Sequence, residues 1–172
     1  EEVAAKAERS INAKVAKARF PAIKTLESFD FSFQPSLPVA TIKELAELGF
    51  LDRAENIVLV GPSGTGKTHL AIALGLKACM ARKRVLFTTV HALLDQLVAA
   101  TVDRSLGSRL EMLSRLDLVI ADELGYMPVD TQRANLFFQF VSCRYEKGSI
   151  ILTTNKAFDQ WGQVFGDDVI AS

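Results

Sequence analysis

The sequence is poor in cysteine and has no long apolar run. Its two cysteines, Cys79 and Cys143, are too few for a disulfide framework and indicate a reducing compartment. No apolar run reaches the roughly 18–20 residues that a bilayer span requires, and the chain does not begin like a secretory signal. We therefore expect a cytoplasmic protein with no membrane partner.

The chain also lacks net charge, since 20 basic and 20 acidic side chains balance. This balance argues against a strongly basic, stand-alone nucleic-acid binder. With 49% hydrophobic and 23% charged residues over 172 positions, the composition is typical of one ordinary folded domain and excludes an intrinsically disordered chain. Position 1 is Glu rather than Met, so we expect a fragment.

Although the whole chain has no net charge, a segment near its start is basic. Residues 3–26 contain six basic side chains and one acidic side chain, Glu8. The apolar residues of this segment recur at helical spacing on one face: Val3, Ala7, Ile11, Val15 and Ala18. The pattern predicts a basic amphipathic helix that ends before Pro21. Its basic side is either a solvated face or a surface that contacts phosphates or a neighbouring subunit.

Beyond residue 28, strand-like and helix-like stretches alternate. The predicted strands are 56–60, 84–89, 117–121 and 149–154, and the predicted helices are 69–80, 91–100, 105–114 and 131–145. A shorter helix over 41–48 is predicted to be capped by Thr41 and closed by Gly49. Because the strands are continuously apolar, we expect a parallel sheet with helices on both faces, which is an α/β fold.

The sequence GPSGTGKT at residues 61–68 fits the phosphate-binding loop pattern G-x-x-x-x-G-K-[ST]. A strand is predicted before it and a helix after it, as the pattern requires. The candidate nucleotide-binding residues are Gly61, Pro62, Ser63, Gly64, Thr65, Gly66, Lys67, Thr68 and the adjoining His69.

Each residue type in this loop has a chemical reason. Gly64 and Gly66 allow the backbone to approach phosphates closely, so that its amides point inward at the start of the next helix. Lys67 reaches the β and γ phosphates, and the Thr68 hydroxyl is a hard oxygen ligand for Mg²⁺. His69 and His91 have no spacing to the cysteines that would make a metal site, which favours structural roles for both.

Two acidic residues follow the third predicted strand. Asp122 is a candidate Mg²⁺ ligand, and Glu123 is a candidate base for the attacking water. Asn155 ends the fourth predicted strand, where an amide can hold the lytic water or the γ-phosphate; a plain strand-end cap is the alternative. A guanine-reading motif fails because Phe158 stands where it requires Asp, so we expect adenine.

For some residues the sequence allows two interpretations. Phe29, Phe31 and Phe33 are either a wall for adenine or core aromatics. Arg144 is either an arginine that acts across a subunit junction or an ordinary surface arginine on a helix. Trp161 is expected to pack and to need a partner for its indole N–H.

Several stretches resemble one family: FPAIKTLESFDFSFQPSL, GPSGTGKTHLAIALG, VIADELGYMPVD and ILTTNKAFDQWGQVFGDDVIA. They are similar to the IstB-type helper ATPases of bacterial insertion sequences. That family is similar to the helicase loader DnaC and to the initiator DnaA, which are AAA+ ATPases. The resemblance runs from about residue 17 to the last residue.

The resemblance implies a P-loop NTPase with sheet order 5-1-4-3-2. It makes residues 61–68 Walker A, Asp122 and Glu123 Walker B, and Asn155 sensor 1. It places an extra helix near 91–114 that faces DNA. It implies ATP and Mg²⁺ as cofactors, assembly on duplex DNA into a helical or ring oligomer, and recruitment of a transposase in a bacterial cytoplasm.

The sequence departs from the family at its end. The family places an arginine finger and a sensor 2 arginine shortly beyond GDDVIA, where this chain stops. We therefore expect an arm over 1–28 and an AAA+ domain over 29–172 that lacks its fifth strand, arginine finger and lid. Such a chain would bind ATP and hydrolyse it weakly.

Two other functions remain open. The first is a helicase loader of the DnaC type on the same fold. The second is a small-molecule P-loop kinase, which the pair Asp122 and Glu123 disfavours because that pair suits the activation of water.

Overall fold

The computed structural model describes residues 1–33 and 36–166. The helices in chain order are α1 (Glu2–Ala18), α2 (Val39–Ala46), α3 (Gly49–Asp52), α4 (Lys67–Met80), α5 (Val90–Val102), α6 (Leu106–Ser114), α7 (Thr131–Arg144) and α8 (Trp161–Phe165). The strands are β1 (Ile57–Val60), β2 (Val85–Thr89), β3 (Leu118–Leu124) and β4 (Ser149–Thr154). Short 3₁₀ turns lie at Phe31–Phe33 and Phe158–Gln160.

The sheet within the described residues has four strands in the order β1-β4-β3-β2, and every pairing is parallel. This arrangement confirms the predicted α/β fold and matches the implied 5-1-4-3-2 order at the four strands present. Parallel strands place their carboxyl ends along one edge of the sheet. The phosphate-binding loop after β1, the acidic pair of β3 and Asn155 after β4 therefore lie at that edge.

Two hydrophobic clusters cover the two faces of the sheet. Side chains of β3 alternate between them: Leu118 and Ile120 join one cluster, while Val119 and Ala121 join the other. The first cluster includes residues of α1, α3 and α4, and the second includes residues of α5, α6, α7 and α8. The continuously apolar strands are thus explained by burial on both faces.

The basic helix is confirmed as α1, which ends at Ala18 ahead of Pro21. Arg19 follows it with a left-handed backbone, at φ 62°. Only the end of the apolar face is buried: Ala18 is fully buried with Val15 packed beside it, whereas Val3 is 83% exposed. α1 is therefore joined to the domain through its last turns.

The prediction for the short helix over 41–48 was wrong at both ends. α2 begins at Val39 after Pro38 and has no side-chain cap, so Thr41 lies inside the helix. Gly49 does not close it either, because Gly49 begins α3 and the left-handed residue is Leu48, at φ 68°. The fixed φ of Pro38 suits a position just ahead of a helix, which explains the earlier start.

Both interpretations of Arg144 were wrong, since this residue is neither at the surface nor available to another subunit. Its side chain is 1% exposed. The guanidinium donates to the carbonyl oxygens of Leu113 at 2.5 Å, Leu116 at 3.0 Å and Ser149 at 2.8 Å. Burial lowers the pKa of this guanidinium to about 10. Arg144 therefore joins the ends of α6, α7 and β4.

Within the described residues, no helix is long and apolar enough to cross a membrane. Trp161 packs as predicted, and its indole N–H donates to the Lys156 carbonyl at 3.2 Å. The family-specific stretch GDDVIA begins at Gly166, and the rest of it lies outside the described residues.

Candidate nucleotide-binding site

The phosphate-binding loop connects β1 to α4. Gly64 and Gly66 have φ values of 78° and 89°, in the region that favours glycine. A Cβ on Gly66 would lie 2.6 Å from Cε2 of Phe29, whereas a Cβ on Gly64 would meet no atom within 4 Å. The backbone at Gly64 is therefore open to an approaching ligand, and Gly66 is needed for close packing.

Polar contacts hold the loop in shape. The Lys67 ammonium donates to the Pro62 carbonyl at 2.7 Å and lies 3.5 Å from the Thr65 hydroxyl. The Thr65 hydroxyl also donates to the Pro62 carbonyl, at 2.8 Å. The ammonium thus lies over the loop, where a phosphate-binding lysine is required.

Thr68 and Asp122 are in direct contact at the start of α4. The Thr68 hydroxyl lies 2.9 Å from Oδ1 and 3.1 Å from Oδ2 of Asp122. Asp122 is buried, and its Oδ1 also accepts a hydrogen bond from the Thr153 hydroxyl at 2.5 Å. A hydroxyl and a carboxylate side by side are the hard oxygen donors that Mg²⁺ takes when phosphates and water complete its shell. The residues present therefore fit a magnesium ion.

The strand that carries the acidic pair is longer than predicted. Asp122 and Glu123 lie inside β3, which continues to Leu124, and do not follow its end. The register of β3 against β4 shifts between Ala121 and Leu124, and Glu123 has φ 67°. The Glu123 N–H donates to the Thr153 hydroxyl at 2.8 Å. This local distortion leaves the Glu123 side chain exposed while Asp122 is buried.

A small cleft lies over the loop, with a volume of about 410 Å³. Its lining residues are Ser63, Gly64, Gly66, Lys67, Thr68, His69, Glu123 and Tyr126. The structure therefore brings six of the nine predicted nucleotide-binding residues and the predicted base together at one cleft, whereas Gly61, Pro62 and Thr65 do not line it. Asp122 lies behind Thr68, at hydrogen-bonding distance.

Asn155 follows β4 but is not among the residues that line this cleft. Its Oδ1 is buried and has no hydrogen-bond partner in the part of the chain that the structure describes. Buried polar atoms are nearly always hydrogen-bonded, so an orphan acceptor is unusual. The role of Asn155 as sensor 1 stays a prediction, and the orphan oxygen is compatible with a water or ligand partner.

His69 contacts the segment before the fold's first strand. Its Nε2 lies 2.7 Å from the Thr25 carbonyl and so donates to it. Its ring also meets Phe29 edge to face at 5.1 Å. These contacts support a structural role for His69 at the rim of the cleft. Phe29 packs on the loop at Gly66, which places this aromatic beside the candidate site.

Tyr126 is the site residue that sequence reasoning missed. It is 41% exposed, and its hydroxyl accepts a hydrogen bond from Ser63 at 3.3 Å. The available signal was its place just after the acidic pair, within the family-specific stretch DELGYMP. No group of three or more His, Cys, Asp or Glu residues within 1–33 and 36–166 forms a metal site.

A family model described as "IstB-like ATP binding protein" matches residues 1–172. The chain is 48% identical over 165 residues to a Pseudomonas aeruginosa protein named as an ATP-binding protein of insertion sequence IS21. That match covers 96% of this chain and 62% of the relative. The chain thus spans less than two thirds of that relative's length.

Solved structures share the fold at low sequence identity. The replication initiator DnaA, bound to AMPPCP and single-stranded DNA, gives a TM-score of 0.75 at 22% identity, covering 89% of this chain and 48% of that one. The DnaC helicase loader gives a TM-score of 0.72 at 19% identity, and the match covers 89% of this chain and 92% of that one. The shared architecture is the AAA+ P-loop NTPase fold.

Proposed function

The chain belongs to the IstB-like ATP-binding family, as its sequence resemblance indicated, and we propose that it is a DNA-remodelling ATPase that helps a transposase. In this proposal the protein assembles on duplex DNA in an ATP-dependent way, in the bacterial cytoplasm. ATP binding is the property that the family description carries. ATP hydrolysis, DNA binding and the transposase as a partner go beyond that description and are part of our proposal.

The observation that carries the proposal is the network of Thr68, Asp122, Thr153 and Glu123. It connects the phosphate-binding loop with two strands through hydrogen bonds of 2.5 to 3.1 Å. A loop that only bound nucleotide would not require an exposed carboxylate beside it. The exposed Glu123 at the cleft supports hydrolysis, because a carboxylate there can orient and deprotonate water.

Each residue has a distinct role in this mechanism. The loop amides and the Lys67 ammonium bind the phosphates. Thr68 and Asp122 would hold Mg²⁺, which would supply positive charge beside the phosphates. Glu123 takes a proton from the attacking water. Asn155 positions the water or the γ-phosphate. Thr153 positions the acidic pair, because its hydroxyl donates to the Asp122 carboxylate and accepts from the Glu123 backbone N–H.

Support for DNA and a transposase comes from the relatives. The Pseudomonas aeruginosa relative is named for an insertion sequence, and a mobile element of that kind requires a transposase. The DnaA neighbour is named as bound to single-stranded DNA. We propose that this chain uses the same fold on duplex DNA and self-associates into a helical or ring oligomer.

The domain organisation is part of the proposal. We propose that residues 1–28 act as an arm and that 29–172 form the ATPase domain. The chain spans 62% of the length of its IS21 relative. We propose that an arginine finger completes the site and that hydrolysis is weak without it. Where arginine fingers have been studied they accelerate hydrolysis by about 10³–10⁵-fold.

One experiment separates the proposal from its rivals: electron microscopy of the full-length protein with ATP and duplex DNA, beside phosphate-release assays. We expect ordered filaments or rings, and faster ATP hydrolysis with duplex DNA than with single-stranded DNA. The Lys67→Ala variant should neither assemble nor hydrolyse ATP. A preference for single-stranded DNA would favour a helicase loader, for which the likeness to DnaC is the specific argument. Isolated monomers that transfer phosphate to a small acceptor would favour a kinase.

A further inference from the structure

A second cavity runs along β2, on the opposite side of the sheet from the edge that β1 forms. Its volume is about 760 Å³. It is bordered by α1 on one side and by α5 and α6 on the other, and residues of β2 line its floor. We call this cavity the β2 groove. It shares no lining residue with the cleft over the phosphate-binding loop.

The β2 groove is strongly basic in a chain without net charge. Among the described residues, those that line it include five cations and no acid: Lys14, Lys17, Arg19, Arg84 and Arg109. Of these, Arg84 has a counter-ion behind it, at 3.4 Å from Asp117. A concave surface with one sign of charge attracts a ligand of the opposite sign. The groove is therefore suited to an acidic ligand.

The floor of the groove sets a second requirement for a ligand, in addition to negative charge. β2 ends the sheet and pairs only with β3 among the described strands. Along its other side, no main-chain hydrogen bond joins β2 to another element in the described part of the chain. Such an edge offers a row of N–H and carbonyl groups to an added strand. Apolar surface lies beside it, including Met112, which is 43% exposed.

An extended peptide satisfies both requirements at once. Its main chain can pair with the edge of β2, while alternate side chains point toward the cations and the apolar surface. A nucleic acid has phosphates for the cations but no repeating N–H and carbonyl groups to match a strand edge. We propose that the β2 groove binds an extended acidic segment of a partner protein, which joins the sheet next to β2.

The probe is a fluorescein-labelled peptide in which glutamate alternates with valine, and binding is followed by fluorescence anisotropy at low salt without nucleotide. We expect the peptide to bind and a lysine–valine peptide not to bind. Two further peptides carry N-methyl groups on either alternate set of amides. Because one edge of an added strand faces β2, only one of the two should lose binding. Equal binding by both would overturn the proposal.

Charge-reversal variants locate the site. Lys14→Glu with Lys17→Glu should weaken binding roughly tenfold, because two attractions become repulsions. Lys6→Glu with Arg9→Glu makes the same change on exposed positions of α1 that do not line the groove, and should bind the peptide normally. Equal loss in both variants would indicate general attraction to a basic helix and contradict the proposal.

Competition with a short oligothymidylate separates the two classes of partner. We expect weak competition that salt abolishes, while peptide binding persists through its main-chain contacts. Full displacement by the oligonucleotide, together with insensitivity to N-methylation, would assign the groove to nucleic acid and reject the peptide. No step of this test depends on ATP hydrolysis, so its result is independent of the proposed function.

Discussion

The Thr68 hydroxyl lies 2.9 Å from Oδ1 of Asp122, although the two residues are 54 positions apart in the sequence. This contact links the start of α4 with β3. It means that the two candidate magnesium ligands are already adjacent, so ion binding requires little rearrangement of either side chain. Preorganised ligands of this kind reduce the entropy that a site loses on binding.

Replacing Lys67 with alanine should weaken ATP binding by about 10–100-fold, because a charge-assisted contact to phosphate is lost. The measurement is a titration with a fluorescent ATP analogue. Lys77→Ala is the matched control, since Lys77 lies on the same helix and pairs with Glu27 at the surface. Unchanged affinity in Lys67→Ala would refute the loop assignment.

Glu123→Gln should preserve ATP binding and lower turnover by about 10²–10⁴-fold, since the amide cannot accept the proton from water. Phosphate release and nucleotide affinity are measured on the same sample. Glu111→Gln serves as a control, because Glu111 lies on α6 and pairs with Arg115. Full turnover in Glu123→Gln would show that another group is the base.

Thr153→Val tests whether the buried hydroxyl organises the acidic pair. Valine keeps the shape of the side chain but has no hydroxyl. The Glu123 N–H therefore loses its acceptor, and Oδ1 of Asp122 loses the hydrogen bond from Thr153. We expect the free energy of unfolding to fall by about 1–3 kcal/mol and kcat to fall more than ATP affinity. Thr153→Ser keeps the hydroxyl and should retain both stability and kcat. A normal kcat in Thr153→Val would show that the Thr153 hydroxyl has no role in the mechanism.

Arg144→Met should lower the free energy of unfolding by about 3 kcal/mol, because three carbonyl acceptors lose a buried donor. Urea denaturation measures the change. Arg115→Met is the comparison, because the Arg115 guanidinium is exposed and pairs with Glu111. If both variants lost equal stability, the burial of Arg144 would not explain its effect.

The sequence was sufficient to predict the four strands, their parallel pairing and the position of the phosphate-binding loop, because local patterns determine these features. It was insufficient where distant contacts decide the conformation. β3 extends past Ala121 because Asp122 pairs with Thr89 and Leu124 pairs with Thr154, which are distant in the sequence. Arg144 has an ordinary helical context, and its burial is explained by the carbonyls of Leu113, Leu116 and Ser149, which accept its hydrogen bonds.

The capping error at Thr41 has a local cause. A threonine followed three residues later by Glu44 is a good local signal for a helix start. It was overridden by Pro38, whose fixed φ suits a position just ahead of a helix, and the helix begins at Val39. Tyr126 was missed for a different reason: a tyrosine in a turn has no local pattern that points to a hydroxyl contact with Ser63.

Since the Lys67 ammonium donates to the Pro62 carbonyl at 2.7 Å, an arriving anion exchanges one partner for another and does not meet a bare cation. A weak or singly charged anion gains little from that exchange. A polyphosphate gains more, because it also engages the loop amides. We therefore expect the loop to bind a polyphosphate in preference to chloride or a single phosphate.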